Sequence, residues 1–312
     1  MPEVVWPSSI EVHAVVAERI RRLLDEHGGL VADFGRRTMR VGHGVLSDHP
    51  HSFTAVLIPG ACLAAGADWH AALWPTAAAE LMMAAADLFD DVADADPGNL
   101  ASGSPGVALT AAAGLLSLAA VAVVRVTADG ASPATAVALA DLLGTEFARA
   151  ANGQAANLEP HRTVDAMTAY LQAAAKSGPL GSLMARLGAR TATEDAEIVD
   201  LLGQFGRCLA VRSQLLNDAR DAAPGAADAK ADVRAGARTV PLAFAHSTGA
   251  PPGLTDEEAG AWETRERARV AAGGGLIAAQ ALAEAERLRA IQALDALERL
   301  GRPVDGLRAL IS

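Results

Sequence analysis

Residues 87–94 read Asp87-Leu88-Phe89-Asp90-Asp91-Val92-Ala93-Asp94, and they close an alanine-rich stretch that otherwise carries almost no charge. In a helix, Asp87, Asp90 or Asp91, and Asp94 recur at intervals of three and four and project from one face. Carboxylates at that spacing repel one another, so the array asks for a cation against it. A hard divalent ion takes oxygen ligands, keeps several waters and is commonly shared with substrate phosphates. The plain alternative is a solvated acidic face. A second segment shifts the balance: Gln214-Leu215-Leu216-Asn217-Asp218-Ala219-Arg220-Asp221 ends another apolar helical run and groups Asn217, Asp218 and Asp221 within one turn. Two oxygen-rich helix ends can face each other across a bundle and hold metal between them. The expectation is a metal-diphosphate site.

The chain has 312 residues, enough for a sizeable core; hydrophobic residues make up 51% and aromatics 4%, with alanine dominant, which favours helices over sheets. A net charge of −11 provides no electrostatic footprint for nucleic acid or for an anionic membrane. Cys62 and Cys208 lie far apart in apolar helical contexts without zinc-site spacing, which suggests buried thiols in a reducing cytoplasm. Met1 to Ile20 carries Glu3, Glu11 and Glu18 and has no continuous apolar core, so no signal peptide is expected. Val107–Val124 runs 18 residues without charge, the minimum for a membrane span. Its alanines, with Thr110, Gly114 and Ser117, suit tight packing in a soluble core better, and no membrane span is expected.

Apolar recurrence at helical spacing predicts helices over 10–27, 52–66, 70–94, 106–128, 133–152, 163–175, 179–188, 194–221, 240–248, 255–272 and 276–300, with a short one after Pro303. Gly28-Gly29, Pro97-Gly98, Gly130 to Pro133, Pro160, Gly249 to Gly253 and Gly273 to Gly275 break them, and none is long enough to link domains. The expectation is one all-α domain over 1–312, a helical bundle with both acidic segments near the ends of long helices.

Further segments carry a resemblance. Glu80-Leu81 followed by Asp90-Asp91-Val92-Ala93-Asp94 resembles the first aspartate-rich motif of the trans-polyprenyl diphosphate synthases, of the class I isoprenoid synthase superfamily. Gly153-Gln154-Ala155-Ala156-Asn157 is similar to that family's GQxxD, with Asn for Asp, and Lys176-Ser177 to its Lys-Thr, after a helix bearing Tyr170. The strongest match runs from Gln214 through Asn217, Asp218 and Asp221 to Lys230, Asp232, Gly236, Thr239 and Pro241. The matches span residues 52–300 in the right order. The resemblance implies an α-helical isoprenoid synthase bundle with a central cavity, whose mouth binds a prenyl diphosphate through three Mg²⁺ ions. It implies metal ligation by Asp90, Asp94 and Asn217 or Asp221, support from Asp91 and Asp218, and diphosphate binding by Lys176, Gln214, Lys230 and Arg238. A homodimer is the expected assembly.

The chain also departs from that pattern. Family members that bind isopentenyl diphosphate carry basic residues on both sides of the first motif; here the upstream stretch is His49 to Thr54, and Pro97 to Ala113 contains no Lys or Arg. A second diphosphate without cationic partners is strongly disfavoured, with Arg36, Arg37 and Arg40 the candidates to replace them. Asn217 and Ala237 replace Asp and Lys, with Arg238 adjacent, and the pattern of terpene synthases is not completed either. In that family, bulky side chains one turn before the first motif block the growing chain; here Ala85 and Ala86, after Met82 and Met83, stand there, which the resemblance takes to imply a deep apolar pocket for chains of roughly C15 to C20 or longer. Phe89, Tyr170, Phe205 and Phe244 are candidates to face a carbocation.

The expected function is Mg²⁺-dependent ionisation of one long allylic diphosphate. The cation is then quenched without isopentenyl diphosphate, as in a terpene synthase or a prenyltransferase with another acceptor. The alternatives are an ordinary polyprenyl diphosphate synthase and a non-catalytic partner subunit.

Overall fold

The computed structural model describes residues 6–40, 45–47, 53–93, 104–158, 164–226 and 232–311. Asp94 and Lys230, as well as His49 and His51, lie outside the described residues. The described residues form helices and connecting turns without a strand. In chain order the helices are α1 (Ser9–His27), α2 (Gly29–Thr38), α3 (Thr54–Ala65), α4 (Leu73–Ala93), α5 (Pro105–Val124), α6 (Pro133–Leu158), α7 (Ala166–Ala192), α8 (Ala196–Asp221), α9 (Asp232–Ala235), α10 (Val240–Phe244), α11 (Asp256–Ala272), α12 (Gly275–Arg299) and α13 (Asp305–Arg308). Short 3₁₀ turns precede α4 and follow α5.

Local chemistry sets the ends. Ser8, Asp165 and Asp195 place side-chain oxygens on the first free N–H groups of α1, α7 and α8, which would otherwise lack partners. Thr255 and Glu258 form a reciprocal capping box on α11. The helices pair largely with their sequence neighbours: α4 with α5, α6 with α7, and α7 with α8; α12 lies against α8 and α3 against α7. One large apolar cluster joins α1, α3, α4, α5, α7 and α8, and a second, smaller one lies among α7, α8, α10 and α12.

Three sequence boundaries are corrected. The Gly28-Gly29 break does end α1, but both glycines take positive φ (59° and 70°), so the chain turns and at once restarts as α2. The helix expected to end at 152 continues to Leu158, which places Gly153 to Asn157 on α6. The two helices expected at 163–175 and 179–188 are one, α7, with Pro179 inside it. Helix α5 is the one described helix long and apolar enough to cross a membrane; its Ala108, Ala111, Ala112, Leu115, Leu118, Ala119, Ala122 and Val123 are buried in the protein.

Glycines let α6, α7 and α8 approach backbone to backbone. A Cβ on Gly206 would fall onto the carbonyl of Gly181, and one on Gly181 onto the carbonyl of Gly206. Gly153 of α6 meets the backbone of Ala175 and Lys176 in the same way. At the far end of these helices the buried Glu146 pairs with Arg149 at 2.6 Å and Arg186 at 3.5 Å, and Arg186 also bonds Asp200. Because backbone cannot yield as a flexible side chain does, Gly206→Ala is expected to lower unfolding stability by about 1–3 kcal/mol. Gly260→Ala, at an open position of α11, should raise it by about 0.4–1 kcal/mol. Urea unfolding of the two variants checks both signs.

Candidate active site

The first acidic segment occupies the last turns of α4. Asp90 is a quarter exposed, and both of its oxygens are engaged: Lys176 Nζ of α7 donates to Oδ2 at 2.8 Å and Gln154 Nε2 of α6 donates to Oδ1 at 2.6 Å. The cation that the aspartate array demands is thus, in this structure, a lysine from another helix. Gln154 is held in one orientation by that bond, and its Oε1 is buried with no hydrogen-bond partner.

Lys176 and Gln154 line a cavity of about 380 Å³. Its other walls are Asn157, Gln172 and Ala173, the second acidic segment (Gln214, Asn217, Asp218, Arg220 and Asp221), and Asp232 with Ala237 to Thr239. The helix run is antiparallel, so Gly153 against Lys176 sets Asn157 near Gln172. Ser177 Oγ donates to Gln214 Oε1 at 3.2 Å, and Gln214 Nε2 donates to Asp218 Oδ1 at 2.7 Å. That relay fixes the second segment to the helix that carries Lys176.

Asp218 is buried, and desolvation, aided by the charges of Asp232 and Asp221, raises its pKa to about 7 against the pull of Gln214 and Lys176. Asn217 on the same turn is exposed and Asp221 half-buried.

The expected site residues therefore divide. Asp90, Lys176, Gln214, Asn217, Asp218, Asp221 and Arg238 come together at or around one cavity, while Asp91 sits half-buried beside Asp90 on α4. The aromatic candidates do not line the cavity. Phe205 is fully buried in the main core and Phe244 is 47% exposed. Phe89 packs on the core, and Tyr170 bonds the buried Glu286, which also takes Arg289 at 2.5 Å. Ala85 is buried in the core as well. Arg36 is committed to Asp25 and Asp33 at 2.5 and 2.9 Å, and Arg37 lies over the Phe34 ring, so neither is drawn to the acidic segments. Sequence reasoning did not single out Gln172 or Arg220; the i, i+4 relation of Gln172 to Lys176 and the position of Arg220 inside an acidic run were the available signals.

Among the described residues no three His, Cys, Asp or Glu side chains meet as a ready-made metal centre. The oxygens instead stand on separate elements: Asp90 and Asp91 on α4, and Asn217, Asp218 and Asp221 on α8. Gln154 Oε1, Gln172 Oε1 and Thr239 Oγ1, on residues that line the cavity, are buried without hydrogen-bond partners. Magnesium that keeps its waters and shares substrate phosphates needs only one or two carboxylates from the protein, and this donor set fits it.

The raised Asp218 pKa has a sign. The folded protein keeps this proton to about pH 7, while the unfolded chain releases it near pH 4. Between those values the native state binds more protons, so metal-free stability falls as pH rises. The loss attributable to Asp218 is expected to be about 2 kcal/mol between pH 5 and 7. Thermal melts of metal-free wild type and Asp218→Asn across that range should show the slope in the first and its reduction in the second.

No protein-family model matches this chain, and no curated protein matches its sequence significantly. Solved structures do. The geranylgeranyl pyrophosphate synthetase of the archaeon Geoglobus acetivorans aligns at a TM-score of 0.80 and 19% identity, over 96% of each chain. The polyprenyl synthetase of Streptomyces coelicolor A3(2) aligns at 0.78 and 19%, again over 96% of each. The geranylgeranyl pyrophosphate synthase of Corynebacterium glutamicum, solved with isoprenyl diphosphate and magnesium, aligns at 0.74 and 18% over 98% of each. At such identities the likeness is one of architecture: the chain has the all-α fold of the polyprenyl and geranylgeranyl diphosphate synthases.

Proposed function

We propose that the chain, as one catalytic domain over residues 1–312, is a prenyltransferase of the class I isoprenoid synthase kind. It ionises an allylic diphosphate of roughly C15 to C20, the length that the resemblance implies from the small residues before the first acidic segment; of these Ala86 is half-buried, while Ala85 is packed into the core. The observation that carries this reading is the meeting of the two acidic segments at one polar cavity, Asp90 through Lys176 and Gln154, and Asp218 and Asp221 directly.

Bound magnesium would supply positive charge against the diphosphate leaving group. Asp90, Asp94, Asn217 and Asp221 are its ligands in this reading, with Asp91 and Asp218 in support. Lys176, Lys230 and Arg238 take the diphosphate oxygens, and Gln214 orients Asp218. Lys176 then has two alternative anions, the Asp90 carboxylate and the substrate, and a Lys176 turned to the diphosphate would leave an Asp90 oxygen open. Released diphosphate can accept the proton that the product loses, so no side-chain base is required.

Elongation by isopentenyl diphosphate, as in a polyprenyl diphosphate synthase, is the acceptor chemistry that the like-folded proteins support better. A quench without isopentenyl diphosphate is the second reading. It is favoured by the lack of Lys or Arg from Pro97 to Ala113 and by the commitment of Arg36 to Asp25 and Asp33. Both acidic segments are present, which favours either enzyme over a non-catalytic subunit.

Release of inorganic diphosphate from farnesyl or geranylgeranyl diphosphate is expected to vanish in chelator and return with Mg²⁺. Asp90→Ala should reduce it at least about 100-fold with the helical circular dichroism unchanged; full activity of that variant would move the site elsewhere. Product analysis with and without isopentenyl diphosphate separates the two acceptors. A longer prenyl diphosphate formed only in its presence is the expected result, and an apolar product formed equally in its absence would install the second reading.

A further inference from the structure

We propose that Arg220 binds the substrate's diphosphate in this cavity, an assignment that rests on the functional reading above. Arg220 stands in the second acidic segment, on the last turn of α8, and is an exposed residue lining the cavity with Asn217, Asp218 and Asp221. Residues one and two apart on a helix do not face each other, so Asp218 and Asp221 do not fold onto its guanidinium. Nearby arginines are committed: Arg207 to Glu286, Arg234 and Arg267 to Glu263, and Arg269 to Glu266. Arg220 forms no such ion pair among the described residues.

The charge of the cavity gives this position its meaning. Its described lining contains three carboxylates, Asp218, Asp221 and Asp232, and three basic residues, Lys176, Arg220 and Arg238. Lys176 is spent on Asp90 at 2.8 Å before any ligand arrives, and Ala237, beside Arg238, offers no charge. A diphosphate approaching this rim meets Asp218, Asp221 and Asp232 with Arg238 as one offsetting cation, so the approach calls for a further cation. Arg220 supplies one, in the planar fork that matches two phosphate oxygens. Its exposure means that its charge is not offset by burial cost, and its long stem lets the head reach over the rim.

The test is calorimetric titration of the protein in excess MgCl₂ with inorganic diphosphate, using wild type, Arg220→Gln, Arg220→Lys and, as a control, Arg265→Gln on the exposed face of α11. Arg220→Gln is expected to weaken diphosphate binding by about 10- to 100-fold. Arg220→Lys should recover part of that loss, because a point charge replaces the fork, and Arg265→Gln should bind as wild type does. Binding by Arg220→Gln within about twofold of wild type would overturn the assignment. A wild-type protein that binds no diphosphate would overturn the functional reading itself, and the role of Arg220 with it. The two failures are thus read from different proteins.

Discussion

The close backbone approach of α6, α7 and α8 is the constraint on which the site depends. Where Gly181 meets Gly206 and Gly153 meets Ala175, no side chain separates the helices, so their relative height is set by main-chain atoms pressed against each other rather than by adjustable rotamers. Packing of that kind is rigid, and it fixes side chains further along the same helices. Gln154 follows Gly153 and Lys176 follows Ala175, so the approach that brings the two backbones together also brings both side chains to Asp90. The polar cavity begins where those glycines let the helices touch.

Held in this way, the site must manage negative charge before it has any ligand. It does so differently at its two acidic segments. Asp90 is neutralised from outside its helix, by Lys176 and by a Gln154 N–H. Asp218, deeper and beside Asp221 and Asp232, is relieved by keeping a proton to about pH 7. The same reasoning explains why five carboxamides, Gln154, Asn157, Gln172, Gln214 and Asn217, surround the cavity. They offer oxygens and N–H groups without adding charge to walls that already hold three carboxylates.

Pro179 illustrates how tertiary contacts override a local breaker. Proline in a helix lacks the N–H that would reach the carbonyl four residues back, which here belongs to Ala175. That carbonyl is also the one against which Gly153 packs. The sequence therefore predicts a break after 175, and the structure instead carries α7 straight through from Ala166 to Ala192. Sequence reading missed α2 for a related reason: two glycines signal an end but do not say whether the next residues begin again. It stopped α6 at 152, one residue before Gly153, whose function in the fold is close approach.

The amino-acid sequence alone determined the helical class, most helix positions and the existence of two acidic helix ends, because each of these follows from spacing and capping within one turn or a few. It also held the ordered motifs that carry the resemblance. Only the tertiary structure decided which cation faces Asp90, that Asp218 is the carboxylate that keeps a proton, that Phe205 and Tyr170 belong to the packing rather than to the cavity, and that Arg220 is left without an ion-pair partner among the described residues. Those outcomes depend on three or four helices meeting at one place, where burial and distance set each group's charge and partner. Residues far apart in the chain carry no local signal of that meeting.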